Sequence, residues 1–341
     1  MKNIAIVGAT GMVGQTLLQV IEERKLPFKN LYLFASARSH GKKVELGDKT
    51  YVIEELTPNS FDRGIDIAIF SAGGATSKEY APIAKAKGCV VIDNSSAWRM
   101  DPEVPLVVPE VNPKDIEWHK GIIANPNCST IQAVVALNPL HLELTIDRII
   151  YTTFQSVSGA GNNGVLDLER TIRGEKPEHF PYPIAGNCIP HIDKFDDSGY
   201  TLEEIKMIKE TQKILNGPDI KITATTVRVP VSVGHSESIN ITFKKPFALQ
   251  ADGPLTTGSQ LPDIGQIFKK APGIVVMDDP ANKIYPTPKE TAGTDPVYVG
   301  RIRRDFSAEN TLNLWVVADN VRKGAATNAV QIAEILIAEI L

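Results

Sequence analysis

The 341-residue sequence predicts a two-domain α/β protein, on three observations: its length, an alternation of short apolar strands with helices up to about residue 130, and a change of texture beyond. One hydrophobic core rarely spans so long a chain, so two domains are expected. In the first part, strand and helix alternate across short glycine-bearing turns, the pattern of a parallel, doubly wound sheet. The second part carries longer strands rich in β-branched residues, which suggests an α+β domain with a largely antiparallel or mixed sheet.

Taken in order, residues 2–7 read as a strand buried on both faces. Glycines follow, then a helix over 15–25 that Pro27 stops. A second strand covers 31–35, and further strands at 65–70 and 89–92 flank a helix around 78–87. A helical pattern occupies 131–140, and strands are expected at 146–154, 220–231 and 238–243. Residues 325–341 make an amphipathic helix with no strand after it, suited to returning to the first domain. The expected division is therefore 1–127 with about 322–341, and 128–321.

Apolar residues make up 43% and charged residues 22%, an ordinary enzyme composition, and the net charge is −4. There is no basic field to collect nucleic acid or anionic lipid, so neither is an expected partner. A local pocket for a small phosphate stays open, because a few Arg and Lys suffice. The N-terminus lacks a cleavable signal pattern, and no apolar stretch nears the roughly 20 residues a bilayer crossing needs. Cys89, Cys128 and Cys188 form neither an even disulfide set nor a metal-type pair. No metal is expected, and a reducing, cytoplasmic setting fits.

Gly8-Ala-Thr10-Gly11-Met12-Val13-Gly14 lies between the first strand and the first helix. Glycines there let the backbone approach a pyrophosphate, and the helix N-terminus attracts its charge. The first domain is thus read as a Rossmann-like dinucleotide-binding domain. An NAD site would place a carboxylate at the end of the second strand. This sequence has Ala35-Ser36-Ala37-Arg38-Ser39 instead. The missing acid and the guanidinium favour a 2′-phosphate, hence NADP, over a solvated turn with an incidental Arg. Ser71-Ala-Gly73-Gly74 is either a second close-approach turn beside the cofactor or a plain β-to-α turn.

The strongest chemical signal is Asn125-Pro-Asn127-Cys128-Ser-Thr ahead of a helical pattern. A helix N-terminus favours the thiolate, and Asn127 with nearby N–H groups could donate to an oxyanion. Cys89 and Cys188 take the ordinary reading of structural thiols. Gly234-His235-Ser236-Glu237 supplies the one distinctive acid–base candidate, the other histidines being read as structural. Thiol, imidazole and NADP together imply covalent aldehyde chemistry.

Seven segments in order carry a resemblance: GATGMVG at 8–14, DNSSAWRM at 93–100, PLVVPEVN at 105–112, ANPNCST at 124–130, QSVSGAG at 155–161, RVPVSVGHSES at 228–238 and ADNVRKGAA at 318–326. The chain resembles bacterial-type aspartate-semialdehyde dehydrogenases over essentially its full length, with Trp98 where that family usually has Phe. The resemblance implies Cys128 as acyl-thioester nucleophile, His235 as acid–base partner and Gln155 as orienting residue. It implies Arg228 for the substrate carboxylate, Glu210 for its ammonium, and Arg99 and Lys213 for phosphate. Ser158 and Gly159 would border the nicotinamide ribose and Asn320 the nicotinamide. It further implies an α+β mixed-sheet catalytic and dimerisation domain, and a homodimer or a tetramer built as a dimer of dimers. The reaction would interconvert 4-phospho-aspartate and NADPH with aspartate 4-semialdehyde, phosphate and NADP⁺. That step serves lysine (by the diaminopimelate pathway), threonine and methionine.

Two rivals share the cysteine and phosphate logic, N-acetyl-γ-glutamyl-phosphate reductase and glyceraldehyde-3-phosphate dehydrogenase. The first acts on an acylated amine and needs no acid for an ammonium. A non-enzymatic NADP sensor would need none of Cys128, His235 and Arg228.

Overall fold

A computed structural model of the protein describes residues 1–249 and 261–340. They fall into two compact units, one of Met1–Asn127 with the segment that starts at Gly324, the other of Cys128–Lys323.

The first unit contains β1 (Lys2–Val7), α1 (Met12–Glu23), β2 (Phe28–Ala35), β3 (Lys43–Leu46), β4 (Lys49–Glu55), β5 (Ile67–Phe70), α2 (Gly74–Ala86), β6 (Val90–Asp93) and β7 (Ile122–Ala124). Its sheet has the order β3-β4-β2-β1-β5-β6-β7. Every neighbouring pair is parallel except β3 with β4. From β1 the chain builds outward through β2, then crosses to β5 on the other side. The carboxyl end of β1 is therefore a topological switch point, where open α/β sheets bind ligands. Strands β5 and β6 are buried along their whole length, as parallel strands between helical layers must be. The β3–β4 hairpin is absent from the sequence-based expectation, although Gly47-Asp48 is a two-residue hairpin turn between its strands.

The second unit contains α3 (Cys128–Leu144), β8 (Ile146–Gln155), α4 (Gly161–Ile172), α5 (Leu202–Ile214), β9 (Lys221–Arg228), β10 (His235–Phe243), α6 (Ile264–Lys270), β11 (Ile274–Val276), α7 (Pro288–Thr291), β12 (Val297–Arg304) and β13 (Thr311–Ala318). Its sheet runs β11-β12-β13-β10-β8-β9. It is mixed: β8–β9 and β11–β12 are parallel, the other pairs antiparallel. Burial alternates along β8, so one sheet face carries helices and the other is only half-covered. Helix α3 is apolar nearly all round, which suits it to burial. Sequence patterning missed β12, where three arginines and a glycine interrupt the period, and β13, whose apolar run does not alternate cleanly.

The chain then forms α8 (Thr327–Ile335), flanked by wider-wound turns at Arg322–Ala326 and Leu336–Ile340. Ala326, Ala329, Val330, Ile332, Ala333 and Leu336 join one apolar cluster with residues of β1, α1, β2, β5 and β6. The returning helix expected over 325–341 is thus present, with its last residue, 341, outside the described ones.

Candidate active site

In the second unit the reactive groups stand where strands end and helices begin. Cys128 is the first residue of α3, at the positive end of that helix dipole, which favours the thiolate. His235 opens β10, and its Nε2 lies 3.3 Å from Cys128 Sγ. The ring is wholly buried, and Nδ1 accepts the backbone N–H of Ser156 at 3.0 Å. Burial, with the Arg228 guanidinium nearby, holds the His235 pKa well below the usual imidazole range. The ring is therefore neutral near pH 7. Asn127 is buried immediately before the helix. By contrast, Cys89 is buried in apolar surroundings that push its thiol up to about 12, and Cys188 is exposed.

Arg228 ends β9, beside Gln155 at the end of the parallel strand β8. Its Nη1 donates to Ser156 O at 2.7 Å, and its guanidinium lies 5.9 Å above the Phe180 ring. The buried Nε–H has no acceptor among the described residues. Gly159 packs against this group: a Cβ there would come within 2.8 Å of Arg228 Nη1 and 3.2 Å of His235 Cε1. Any side chain at 159 would push both groups away. Gln155 Nε2 donates to Glu203 Oε1 at 3.1 Å and to Ser129 Oγ. A cavity of about 340 Å³ opens here, lined among others by Gly159, Phe180, Glu203, Lys206 and Arg228. His179 and His191, read as structural from sequence, also line it.

The acid and ammonium at this cavity are Glu203 and Lys206, not the expected Glu210 and Lys213. Lys206 Nζ lies 3.2 Å from Glu203 and 2.7 Å from Asp193. Glu210 is buried seven residues further along α5, about 10 Å along the axis, and Lys213 lies further still. The physical reason is direction. Only residues 215–220 join α5 to β9, so the two run back antiparallel, and the strand end carrying Arg228 is level with the start of the helix. Both pairs have the same i, i+3 spacing, so spacing alone could not separate them. The Thr201–Glu204 capping box, legible in sequence, marks the helix start.

Ser158 and Asn320, expected at the nicotinamide, are buried and bonded, Asn320 Nδ2 donating to Ser158 Oγ at 3.1 Å.

In the first unit, Gly8 has φ +90°, and a Cβ there would sit 2.4 Å from Ser71 O. The glycine thus lets the turns after β1 and β5 touch. Gly11, Met12 and Val13 are half-buried at the start of α1, and Gly73 precedes α2. Ser39 Oγ donates to Thr10 Oγ1 at 3.4 Å, while Ser36 and Arg38 are exposed. No carboxylate occupies 35–39. These groups fit a dinucleotide. Arg99 is buried, donating to the carbonyls of Asn125 at 3.0 Å and Asn94 at 2.8 Å. Among the described residues no helix is long and apolar enough to cross a membrane, and no cluster of His, Cys, Asp and Glu could hold a metal.

Residues 3–119 match the semialdehyde dehydrogenase NAD-binding domain family, and 137–323 the semialdehyde dehydrogenase dimerisation domain family. The chain is 51% identical over 346 residues to aspartate-semialdehyde dehydrogenase of Aquifex aeolicus, covering 99% of this chain and 98% of that one. A solved structure of aspartate semialdehyde dehydrogenase II of Vibrio cholerae, complexed with ASA, is similar at a TM-score of 0.92 and 45% identity, covering 100% and 99%. The NADP-bound enzyme of Candida albicans is similar at 0.75 and 26%, covering 99% of each.

Proposed function

The chain belongs to the aspartate-semialdehyde dehydrogenase family, and we propose that it interconverts aspartate 4-semialdehyde with 4-phospho-aspartate through a thioester on Cys128. The observation that carries the reading is the Cys128–His235 pair at 3.3 Å, with Gly159 joining His235 to a cavity that holds Arg228 and Glu203.

Cys128 Sγ adds to the aldehyde carbon, and the oxyanion that forms is met by His235 Nε2, with Asn127 as a second donor. Departure of hydride from that carbon leaves the thioester. A phosphate oxygen then attacks the thioester carbonyl, and the thiolate leaves as the acyl phosphate forms. When bound, NADP supplies or takes the hydride. Gly8, Thr10, Gly11, Met12 and Val13 would hold its pyrophosphate, and Ser36, Arg38 and Ser39 its 2′-phosphate. Ser71 and Gly73 remain candidates for a close-approach turn beside the cofactor, and Ser158, Gly159 and Asn320 the candidates for its nicotinamide end.

Arg228 suits a carboxylate, because a guanidinium presents two parallel donors. Glu203 suits the substrate ammonium, taking over from Glu210, and this favours a free amine over an acylated one. Lys206 takes over from Lys213 as the candidate cation for phosphate in the second unit, and Arg99 remains a candidate of the first. A homodimer fits the dimerisation-domain match and the half-covered sheet face, where Phe154 and Trp315 meet at 5.6 Å. A cytoplasmic role in making lysine, threonine and methionine accords with this reading. The direct test is NADP reduction with aspartate semialdehyde, with and without phosphate. Turnover that ignores phosphate would overturn the acyl-phosphate product.

A further inference from the structure

Between α4 and α5 the chain runs from Arg173 to Thr201 without a helix or a sheet strand. Yet His179, Phe180 and Pro181 of this stretch form one wall of the cavity that holds Arg228. An irregular segment must find partners for its backbone N–H groups outside a helix or ladder. One buried side chain supplies three of them. Asp167, on the covered face of α4, is only 1% exposed. Its Oδ1 accepts the Glu178 N–H at 2.8 Å, and its Oδ2 accepts those of His179 at 2.9 Å and Phe180 at 2.8 Å. Three successive N–H groups converging on one anion form a concave donor set, and each bond is charge-assisted.

Further contacts continue the same hold. Thr171 Oγ1, one turn on in α4, accepts the Ala185 N–H at 3.2 Å. Ile184 clusters with Val157 and Leu168, and Phe180 packs against that cluster. Beyond it, Ile189 and Arg228 exchange backbone bonds, Ile189 N–H to Arg228 O at 3.0 Å and Arg228 N–H to Ile189 O at 2.8 Å. The side chain of Arg228 is held less completely than its backbone. Nη1 has the Ser156 carbonyl, but Nε has no acceptor among the described residues. Burial works against the charge, and Glu203 works for it. The Phe180 ring, 5.9 Å from the guanidinium carbon, lies within cation–π range. The ring stands there because residue 180 is one of the three whose N–H Asp167 holds.

We propose that Asp167 is a positioning residue for the carboxylate clamp: it anchors residues 178–180 so that Phe180 faces Arg228, and thereby sharpens the choice of an aldehyde that carries a carboxylate. This role rests on the aspartate-semialdehyde reading above and deepens it. Asp167 acts only through the segment. The Arg170–Glu178 ion pair joins the same two elements, but Glu178 is exposed and water screens the pair.

The test uses the full chain and two aldehydes offered together. One is aspartate semialdehyde; the other is 3-aminopropanal, which keeps the aldehyde and the amine but lacks the carboxylate. The ratio of their kcat/KM values does not depend on how much of a sample is folded, so a general loss of structure would leave it unmoved. Asp167→Asn turns one acceptor into a donor that faces N–H groups. It should lower the ratio about tenfold, the scale of a buried cation–π contact, through KM for aspartate semialdehyde with kcat little changed. Phe180→Leu keeps apolar bulk and should lower the ratio by a similar factor. The double variant should lose no more than Phe180→Leu alone. Additive losses, or an unmoved ratio in either single variant, would overturn the proposal. Hydrogen exchange on the parent needs no substitution: the amides of residues 178–180 should exchange slowly. Exchange at the rate of an open loop would overturn the anchor, even if Asp167→Asn failed to fold. A parent without preference between the two aldehydes would instead sink the carboxylate-clamp reading of Arg228, and this role with it.

Discussion

Glu203 and Glu204 are adjacent in α5, yet their carboxylates serve different ends. Glu204 accepts the Thr201 N–H at 2.7 Å and the Thr226 N–H at 3.0 Å, so both its oxygens tie backbone together. Glu203 accepts from Gln155 at 3.1 Å and Lys206 at 3.2 Å at the wall of the cavity. Glu203→Gln should therefore raise KM for the amino aldehyde about tenfold or more, the scale of a lost charged hydrogen bond of about 1.5–3 kcal/mol. NADP affinity should not move. Glu204→Gln should lower Tm without that selectivity, and Glu210→Gln should leave KM unchanged. A KM effect confined to Glu210→Gln would restore the assignment made from sequence.

Cys128→Ala should abolish turnover and leave NADP binding intact, as measured by fluorescence titration. Of the two other thiols, Cys89 is held protonated by burial. Cys188 is exposed and stands in no helix, so it lacks the dipole that favours the Cys128 thiolate. Turnover within tenfold of the parent would exclude Cys128 as nucleophile.

Arg228→Lys keeps a charge but loses the planar fork and the contact with Phe180. The aldehyde should then sit wrongly relative to Cys128, and an error of about 1 Å can cost on the order of a hundredfold in rate. kcat/KM should fall severely while NADP binding and thiol labelling stay normal. Near-parental kcat/KM would place the carboxylate clamp elsewhere.

Arg38→Ala should weaken NADP far more than NAD, by about 1.5–3 kcal/mol. The exposed position of Arg38 allows salt to screen the contact, so the lower end of that range is expected. Equal losses for both cofactors would show that Arg38 does not touch the 2′-phosphate.

Glu237 is wholly buried, and neither carboxylate oxygen has a partner among the described residues. Burial raises its pKa well above the usual carboxylate range. The folded state therefore keeps a proton that the unfolded chain releases above about pH 4.5. Stability from this group is full below that pH and declines as pH rises towards the raised value, by up to about 1.4 kcal/mol per unit. Glu237→Gln should remove this decline, so its Tm should gain on the parent between pH 5 and 8. Parallel Tm curves would mean that Glu237 is ionised in the fold.

Much of this was legible in the chain itself. The first strand and glycine turn, the helix beginning at Cys128 and the long strands of the second unit follow from period and punctuation. The pairing of Cys128 with His235 was legible as residue types, though not as a distance. What escaped has a common cause. The hairpin β3–β4 and strand β12 lie where charges interrupt the period, and β13 is an apolar run without clean alternation, so partners across the sheet decide them. Glu203 and Glu210 occupy one stripe of one helix, and the choice between them depends on which end of α5 meets the end of β9.

The apolar cluster of the first unit unites residues 4 to 123 with residues 326 to 336. On a ribosome, the nucleotide-binding sheet would emerge early and wait, its core unsealed, while some two hundred further residues were made. The intervening unit, complete by residue 323, can reach its native state first. The order of folding would thus invert the order of synthesis. The waiting sheet, with its apolar face open, becomes the stage of biogenesis at which a chaperone has most to protect.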